Sequence, residues 1–178
     1  QGNRKAVYLY FTDMEAVKMA YYMASVSWGK DSLAMLLRLI NENKQLDEVV
    51  FFDTGMEFQA IYNVRDAVLG MLKVRGITYT ELKPSKPFLY TMLEKPVKGR
   101  ERKGYGWCGG LCRWGTTEKL KALDQYAKSK SAIVYVGIAA DEVKRLERLQ
   151  PYKIAPLITY WNMTEAECLQ YCYDHHYY

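Results

Sequence analysis

Within eight residues, Ser25-Val26-Ser27-Trp28-Gly29-Lys30-Asp31-Ser32 brings together three hydroxyls, an ammonium, a carboxylate and a glycine. The apolar, β-prone run from Tyr21 to Ser27 leads into the turn, and Leu33, Leu36, Leu37 and Ile40 follow it at i, i+3, i+4 and i+7. The segment therefore joins a strand to an amphipathic helix. Such a turn suits an anion. Gly29 lets the backbone approach closely, and the helix start offers free N–H groups and the positive end of its dipole. Ser27 and Ser32 add hydroxyl donors, and Lys30 adds a point charge. The order departs from G-x-x-x-x-G-K-[ST], because Asp31 follows Lys30 and the first glycine is missing, which excludes a kinase or GTPase phosphate loop. Asp31 would repel bare phosphate unless it caps the helix or faces Mg²⁺. A plain Ser-capped helix start is the competing reading, but it needs no Gly-Lys-Asp-Ser order.

Further chemistry-bearing residues fall at the ends of other strands. Asp53-Thr54-Gly55 closes the buried run Val49 to Phe52, and Asp53 there suits a Mg²⁺ ligand, a ribose contact or a turn-forming carboxylate before glycine. Glu57 reads as a dipole partner in the first turn of a second helix rather than as a general base. Gly137-Ile138-Ala139-Ala140-Asp141-Glu142 ends a later strand, with Arg145 and Arg148 downstream; its two acids also suit a helix start. Cys108 and Cys112 lie in a Gly-rich basic stretch, spaced C-x₃-C rather than the C-x₂-C of a zinc ribbon. Basic surroundings favour thiolates, so this pair suits reactivity or a metal (zinc or an iron–sulfur cluster) as well as two free thiols. Cys168 and Cys172, at i and i+4 on a helical pattern, would complete a four-thiolate site if the last helix packs beside that stretch. Free buried thiols are the expectation for them. His175 and His176 have no spaced partner and receive no role. Tyr105 and Trp107, among basic residues, suit stacking on a base.

Positioning these residues takes alternating strands and helices. The spacing of Ile61, Val64, Val68 and Leu72 predicts a second helix closed by Gly76, and Ile77 to Leu82 alternates as a third strand. Pro84 and Pro87 break the chain before a short helical stretch, Phe88 to Glu94. A helix follows from Thr116 to Lys128, then a β-branched strand from Ile133 to Ile138 and an extended piece from Lys153 to Thr159. Thr164 and Glu167 form a capping-box signature for the last helix. This pattern predicts an α/β fold: a doubly wound, mostly parallel sheet with helices on both faces. Such sheets bind ligands beyond the carboxyl ends of their strands, where all the segments above fall.

The chain has 178 residues, enough for one domain or one with a small extension. With 49% apolar and 25% charged residues it is not a disordered chain. No stretch approaches the roughly 18 uninterrupted apolar residues of a membrane span. Residues 1–18 are set aside as an extension: Gln1-Gly2 reads as a cleavage scar, and Met19 reads as a natural start. The apolar run Ala6 to Phe11 is shorter than the roughly 7–15 residues of a secretion-signal core. Residues 19–178 are expected to form one α/β domain. Four cysteines are too few for a disulfide scaffold, which points to the cytoplasm. The net charge is +5, and between Lys95 and Arg113 six cations face one acid, Glu101. That stretch is a solvated loop or an electrostatic lid over nucleotide phosphates or nucleic acid. Its five glycines and self-repulsion predict a segment that orders only against a polyanion.

Ser27-Trp28-Gly29-Lys30-Asp31-Ser32 resembles the PP-loop, S-[GW]-G-K-D-S, of the adenine nucleotide alpha hydrolase-like superfamily. Asp53-Thr54-Gly55-Met56-Glu57-Phe58 resembles the DTG…F motif of its phosphoadenosine phosphosulfate (PAPS) reductase branch. Gly137 to Glu142, with Arg145 and Arg148, resembles that branch's G-[IL]-R-x-D-E…R segment. The three occur in the family's order across residues 25–148. The resemblance implies a Rossmann-like fold that binds ATP or a related adenosine nucleotide. Its phosphates would lie on Ser27, Gly29, Lys30, Asp31 and Ser32, with Ser25 and Gly137 beside them. Adenine and ribose would lie against the first strand's end and the Asp53-Thr54-Gly55 turn, and Arg145 and Arg148 would reach the phosphate or sulfate end. In that branch the region of Cys108 and Cys112 often carries paired cysteines, sometimes with an iron–sulfur cluster. Ala139 stands where many members carry Arg. The branch's tail motif, E-C-G-[IL]-H, has no counterpart in these residues, and the sequence ends on a helical pattern that would suit a further segment.

The leading functional reading is an enzyme acting at the α-phosphate of ATP. Substrate attack gives an adenylylated intermediate and pyrophosphate, with Lys30, Asp31, Mg²⁺ and the loop amides at the reacting phosphates. Cys108 would then carry sulfur to an activated substrate, nucleic acid among the candidates. A sulfonucleotide reductase is the second reading, weakened by the missing tail cysteine. The third is a nucleotide-binding subunit that assembles with a protein partner and has no chemistry of its own.

Overall fold

The computed structural model describes residues 20–106 and 116–178. The extension expected over residues 1–18 lies outside them. Five strands, β1 (Tyr22–Val26), β2 (Glu48–Phe52), β3 (Thr78–Leu82), β4 (Ile133–Val136) and β5 (Lys153–Ile154), pair in parallel in the order β3-β2-β1-β4-β5. Among the described residues the helices are α1 (Lys30–Asn41), α2 (Gln59–Val74), α3 (Thr116–Ser129), α4 (Val143–Leu146), α5 (Pro156–Thr159) and α6 (Glu165–Asp174). The chain moves outward from β1 to β3 and then returns to the other side of β1. That reversal opens a crevice at the carboxyl ends of β1 and β4, a topological switch point.

Register decides which residues meet which layer. Met23 lies opposite Glu48 and Val134, and Ser25 opposite Val50 and Val136. Alternation sends Ala24, Val26, Val49 and Phe51 to one face, against α1, α2 and α6. Met23, Val50 and Val134 turn to the other, under α3. The expected α/β sheet with helices on both faces is present. All of β2 is buried, as a central parallel strand requires. Its first residue, Glu48, is a buried carboxylate that the sequence reading did not single out; it accepts from the hydroxyls of Tyr21, Thr80 and Tyr126. Helix α1 is buried nearly all round, because the sheet covers one side and α6 another. Gly76, at φ +68°, ends α2, with the Ile77 N–H donating to the Leu72 carbonyl at 3.0 Å.

Several boundaries differ from expectation. Helix α2 begins at Gln59, so Glu57 precedes its N-cap, Phe58, and accepts from the Thr54 hydroxyl at 3.0 Å instead. The extended piece from Lys153 to Thr159 keeps two strand residues, because Pro156 at the first helical position starts α5. The stretch before the basic segment is largely a π turn, Tyr90–Glu94, closed by the Lys95 N–H on the Tyr90 carbonyl at 2.9 Å. Residues 95–106 fold back onto that turn. Gly104 N–H donates to the Lys95 carbonyl at 2.7 Å and Gly106 N–H to the Met92 carbonyl at 2.9 Å. Gly104 has φ +73°, and a Cβ there would lie 2.2 Å from the Met92 oxygen. This backbone is held by its own bonds, where the sequence offered no ordering contacts; Lys95, Lys98, Arg100, Arg102 and Lys103 remain exposed on it. Among the described residues no helix is long and apolar enough to cross a membrane.

Candidate functional site

The chain leaves β1 at Val26 and enters α1 at Lys30, turning within three residues. Trp28 adopts φ +61°, the left-handed region, which costs a non-glycine residue about 1–2 kcal/mol. Burial of its indole against Phe51 and Tyr79 offsets that strain. Ser32 Oγ ties the turn together: it accepts from the Ser27 N–H at 3.0 Å, donates to the Gly29 carbonyl at 3.1 Å and lies 3.1 Å from Ser27 Oγ. The Ser27 side chain stays exposed. Gly29 is the N-cap and has no side chain to cap the helix. Among the described residues nothing accepts from the amides of Lys30, Asp31 and Ser32. The positive end of α1, the most enclosed helix, is therefore open to an anion. The end of β4 closes one side. A Cβ on Gly137 would lie 2.8 Å from both the Ser32 nitrogen and Cα, so glycine alone allows this approach.

Lys30 is the electrostatic centre. Its Nζ lies 2.6 Å from Glu165 Oε2 and 3.0 and 3.1 Å from the two Asp31 oxygens. Burial disfavours its charge, but the hydrogen bonds to Glu165 and Asp31 outweigh that and hold its pKa above the ordinary lysine value. Burial likewise pushes the Asp31 carboxyl up, against the pull of Lys30. Asp141 stands behind Glu165 and accepts from its N–H at 3.1 and 3.3 Å. The starts of α1 and α6 thus converge on one ammonium, and the exit from β4 holds the first amide of α6. Glu165 escaped the sequence reading, which took Thr164 and Glu167 only as a capping box. That box is present, with the Thr164 N–H on Glu167 Oε2 at 2.8 Å, and it fixes where Glu165 stands.

The last helix and the residues after it touch the same turn. Cys172 Sγ donates to the Lys30 carbonyl at 3.4 Å, and the Tyr178 hydroxyl donates to the Trp28 carbonyl at 2.8 Å. Cys168 and Cys172 are fully buried, and burial pushes their thiols up to about 12 and about 11. They fill the interface of α6 with α1 as free thiols. Cys108 and Cys112, expected to be reactive or metal-binding, lie outside the described residues, as do Trp107 and Arg113. Among the described residues no three His, Cys, Asp or Glu side chains are placed to hold a metal ion.

The remaining candidates are spread along the carboxyl edge. Asp53 is buried at the end of β2, and one of its oxygens accepts from the Gly55 N–H at 2.8 Å and the Tyr62 hydroxyl at 2.7 Å. That is a turn-forming role, with Gly55 at φ +75°. Ser25 points to the α3 face and lines a crevice with Met23, Leu120 and Val136, away from the Ser27–Ser32 bonds. Arg145 is exposed and its Nη1 lies 2.6 Å from both Glu142 oxygens; Arg148 is exposed beyond α4. Tyr105 is partly buried, with the Lys95 ammonium 5.9 Å from its ring centre. The fold therefore gathers Ser27, Gly29, Lys30, Asp31, Ser32 and Gly137 into one cluster. The Asp53 turn sits at the neighbouring strand's end, and both arginines lie outside the cluster.

An uncharacterized protein of Methanocaldococcus jannaschii is 28% identical over 121 residues, which is 65% of this chain and 22% of that protein. The chain thus spans about a fifth of that relative's length. The profile of the phosphoadenosine phosphosulfate reductase domain matches residues 21–176, a span that includes all five strands, the β1–α1 turn and the α6 contacts on Lys30. With its parallel sheet and PP-loop, the chain belongs to the phosphoadenosine phosphosulfate reductase domain family of the PP-loop, adenine nucleotide alpha hydrolase-like superfamily.

Proposed function

We propose that the protein binds ATP-Mg at the β1–α1 turn and transfers the adenylyl group, releasing pyrophosphate. One observation carries the reading: the open amides at the start of α1, beside Lys30, at the switch point of a parallel sheet. The family's general use of adenosine nucleotides supports it. An acceptor nucleophile bonds to the α-phosphorus while the bond to the bridging oxygen breaks, and that oxygen's electron pair leaves with pyrophosphate. Lys30 and the amides of residues 30–32 stabilise the charge growing on the leaving group. The exposed Ser27 hydroxyl adds a donor, and the Asp53-Thr54-Gly55 turn receives the ribose. Arg145 exchanges Glu142 for a phosphate, with Arg148 behind it.

Mg²⁺ enters as part of the substrate. The carboxylates nearest the turn, Asp31 and Glu165, are both held by Lys30, and among the described residues no cation site stands assembled. Cys108 is the thiol we propose to act on the adenylylated acceptor, its sulfur bonding to the activated carbon while the bond from that carbon to the adenylyl oxygen breaks and AMP leaves; burial keeps Cys168 and Cys172 protonated. The exposed cations of residues 95–103 fit a polyanionic acceptor, and nucleic acid is the one we propose. We assign this chemistry to the cytoplasm, where ATP and reduced thiols coexist.

Incubation with ATP-Mg tests the reading. Pyrophosphate should appear in step with adenylyl transfer. ADP and phosphate as the sole products would refute chemistry at the α-phosphate. Tight binding without any product would leave a nucleotide-binding subunit working with a partner. Family membership favours one other reading, a sulfonucleotide reductase, and sulfite release from PAPS or APS with a thiol reductant would establish it.

A further inference from the structure

We propose that Glu165 makes the β1–α1 turn discriminate between metal-free and metal-complexed nucleotides; the inference rests on the nucleotide reading above. At this turn a single ammonium, Lys30, faces Glu165 at 2.6 Å and Asp31 at 3.0 Å, with Asp141 one hydrogen bond behind Glu165. Arg145, the candidate cation on the β4 side, is paired with Glu142 at 2.6 Å and reaches a phosphate only by giving up that carboxylate. Two carboxylates, Asp31 and Glu165, therefore stand on one ammonium where phosphates are expected to lie, with Asp141 on the backbone N–H of Glu165. The open amides of α1 attract an anion and this pair of carboxylates repels one. Both demands are met by phosphates that arrive with a divalent cation already bound.

Glu165 is the member that can be neutralised without unmaking the turn. It sits on α6, its side chain is 47% exposed, and none of the bonds joining Ser27, Gly29 and Ser32 uses it. Metal-free ATP carries two more negative charges than ATP-Mg. Two unit charges at about 5 Å from one carboxylate, under water-like screening, change affinity by about tenfold at low salt.

The test is calorimetric titration of the protein with ATP in EDTA and with ATP-Mg, for the wild type and Glu165→Gln, with melting curves to confirm folding. The wild type should prefer ATP-Mg. In Glu165→Gln the preference should fall by about tenfold, chiefly through tighter binding of metal-free ATP. Asp141→Asn should shift it the same way by less. An unchanged preference, or equal weakening of both forms, would overturn the proposal, since Glu165 would then only anchor Lys30. Should Glu165→Gln not fold, the wild type decides: the gap between the two forms should narrow as salt rises from about 20 to about 500 mM, and a salt-independent gap overturns the proposal. Failure of the wild type to bind ATP in either form is a separate result, which would remove the nucleotide reading itself.

Discussion

Lys30 and Ser32 are adjacent in the motif but do different work. Ser32 is buried and spends its hydroxyl on the Ser27 amide and Gly29 carbonyl, so it shapes the turn. Lys30 is partly exposed and supplies charge. Replacing Lys30 by alanine should weaken ATP-Mg binding by about 1.5–3 kcal/mol, the worth of a charged hydrogen bond, and Ser32→Ala should add to the loss only by loosening the turn. Calorimetry checks this, and each single variant should also lower thermal stability, Ser32→Ala by loosening the turn and Lys30→Ala by leaving Asp31 and Glu165 unpaired. Gly137 offers a second test at this scale. Its missing Cβ admits the Ser32 backbone, so Gly137→Ala should cost about 1–3 kcal/mol by overpacking and should shift the start of α1. Urea unfolding reads the first effect and ATP affinity the second. The motif residues were legible because they are contiguous and of rare type. Glu165 was not, because it meets Lys30 across 135 residues and only the folded sheet brings them together.

Helix α6 links the turn to the rest of the molecule. Its capping box fixes the first turn that carries Glu165, so Thr164→Ala should cost about 1 kcal/mol in denaturant unfolding. Its inner face is lined by Cys168 and Cys172, whose thiols stay protonated in the native state up to about 12 and about 11. Unfolded, they lose their protons near pH about 8.5. Above that pH the unfolded state binds fewer protons, so stability is lost as pH rises toward 11. Urea midpoints at mildly and strongly alkaline pH should show the fall, reduced in a Cys168→Ala, Cys172→Ala variant. A midpoint independent of pH would return these thiols to ordinary exposure. At this scale the alternation of strands and helices was read correctly. The errors came where local chemistry overrode a pattern: Pro156 turned the second half of an expected extended piece into α5, and the start of α2 at Gln59 left Glu57 outside the helix.

Across the whole molecule, the sheet order and the charge distribution lead to one edge. β3 ends at Leu82, and the chain leaves it at the same carboxyl edge as the β1–α1 turn, two strands away. It continues through Lys83 and Lys86 to the exposed cations at Lys95, Lys98, Arg100, Arg102 and Lys103. Were this surface to hold RNA, log K should fall with log salt at about −0.7 per phosphate contacted, and replacing Lys98 and Arg100 by serine should flatten the slope. Filter binding over a salt series measures both, and a shallow slope would confine the segment to solvation. The charge was legible from composition; the backbone order of residues 95–106 was not, because it depends on Gly104 packing against a π turn. Nucleotide phosphates are proposed to sit where β1 and β4 diverge. Amide hydrogen exchange with and without ATP-Mg tests this placement most directly. New protection is expected at residues 28–33 and 137–142, with smaller changes at β3 and α2. Protection confined to other segments, with the amides of Lys30, Asp31 and Ser32 exchanging as fast as before, would contradict it.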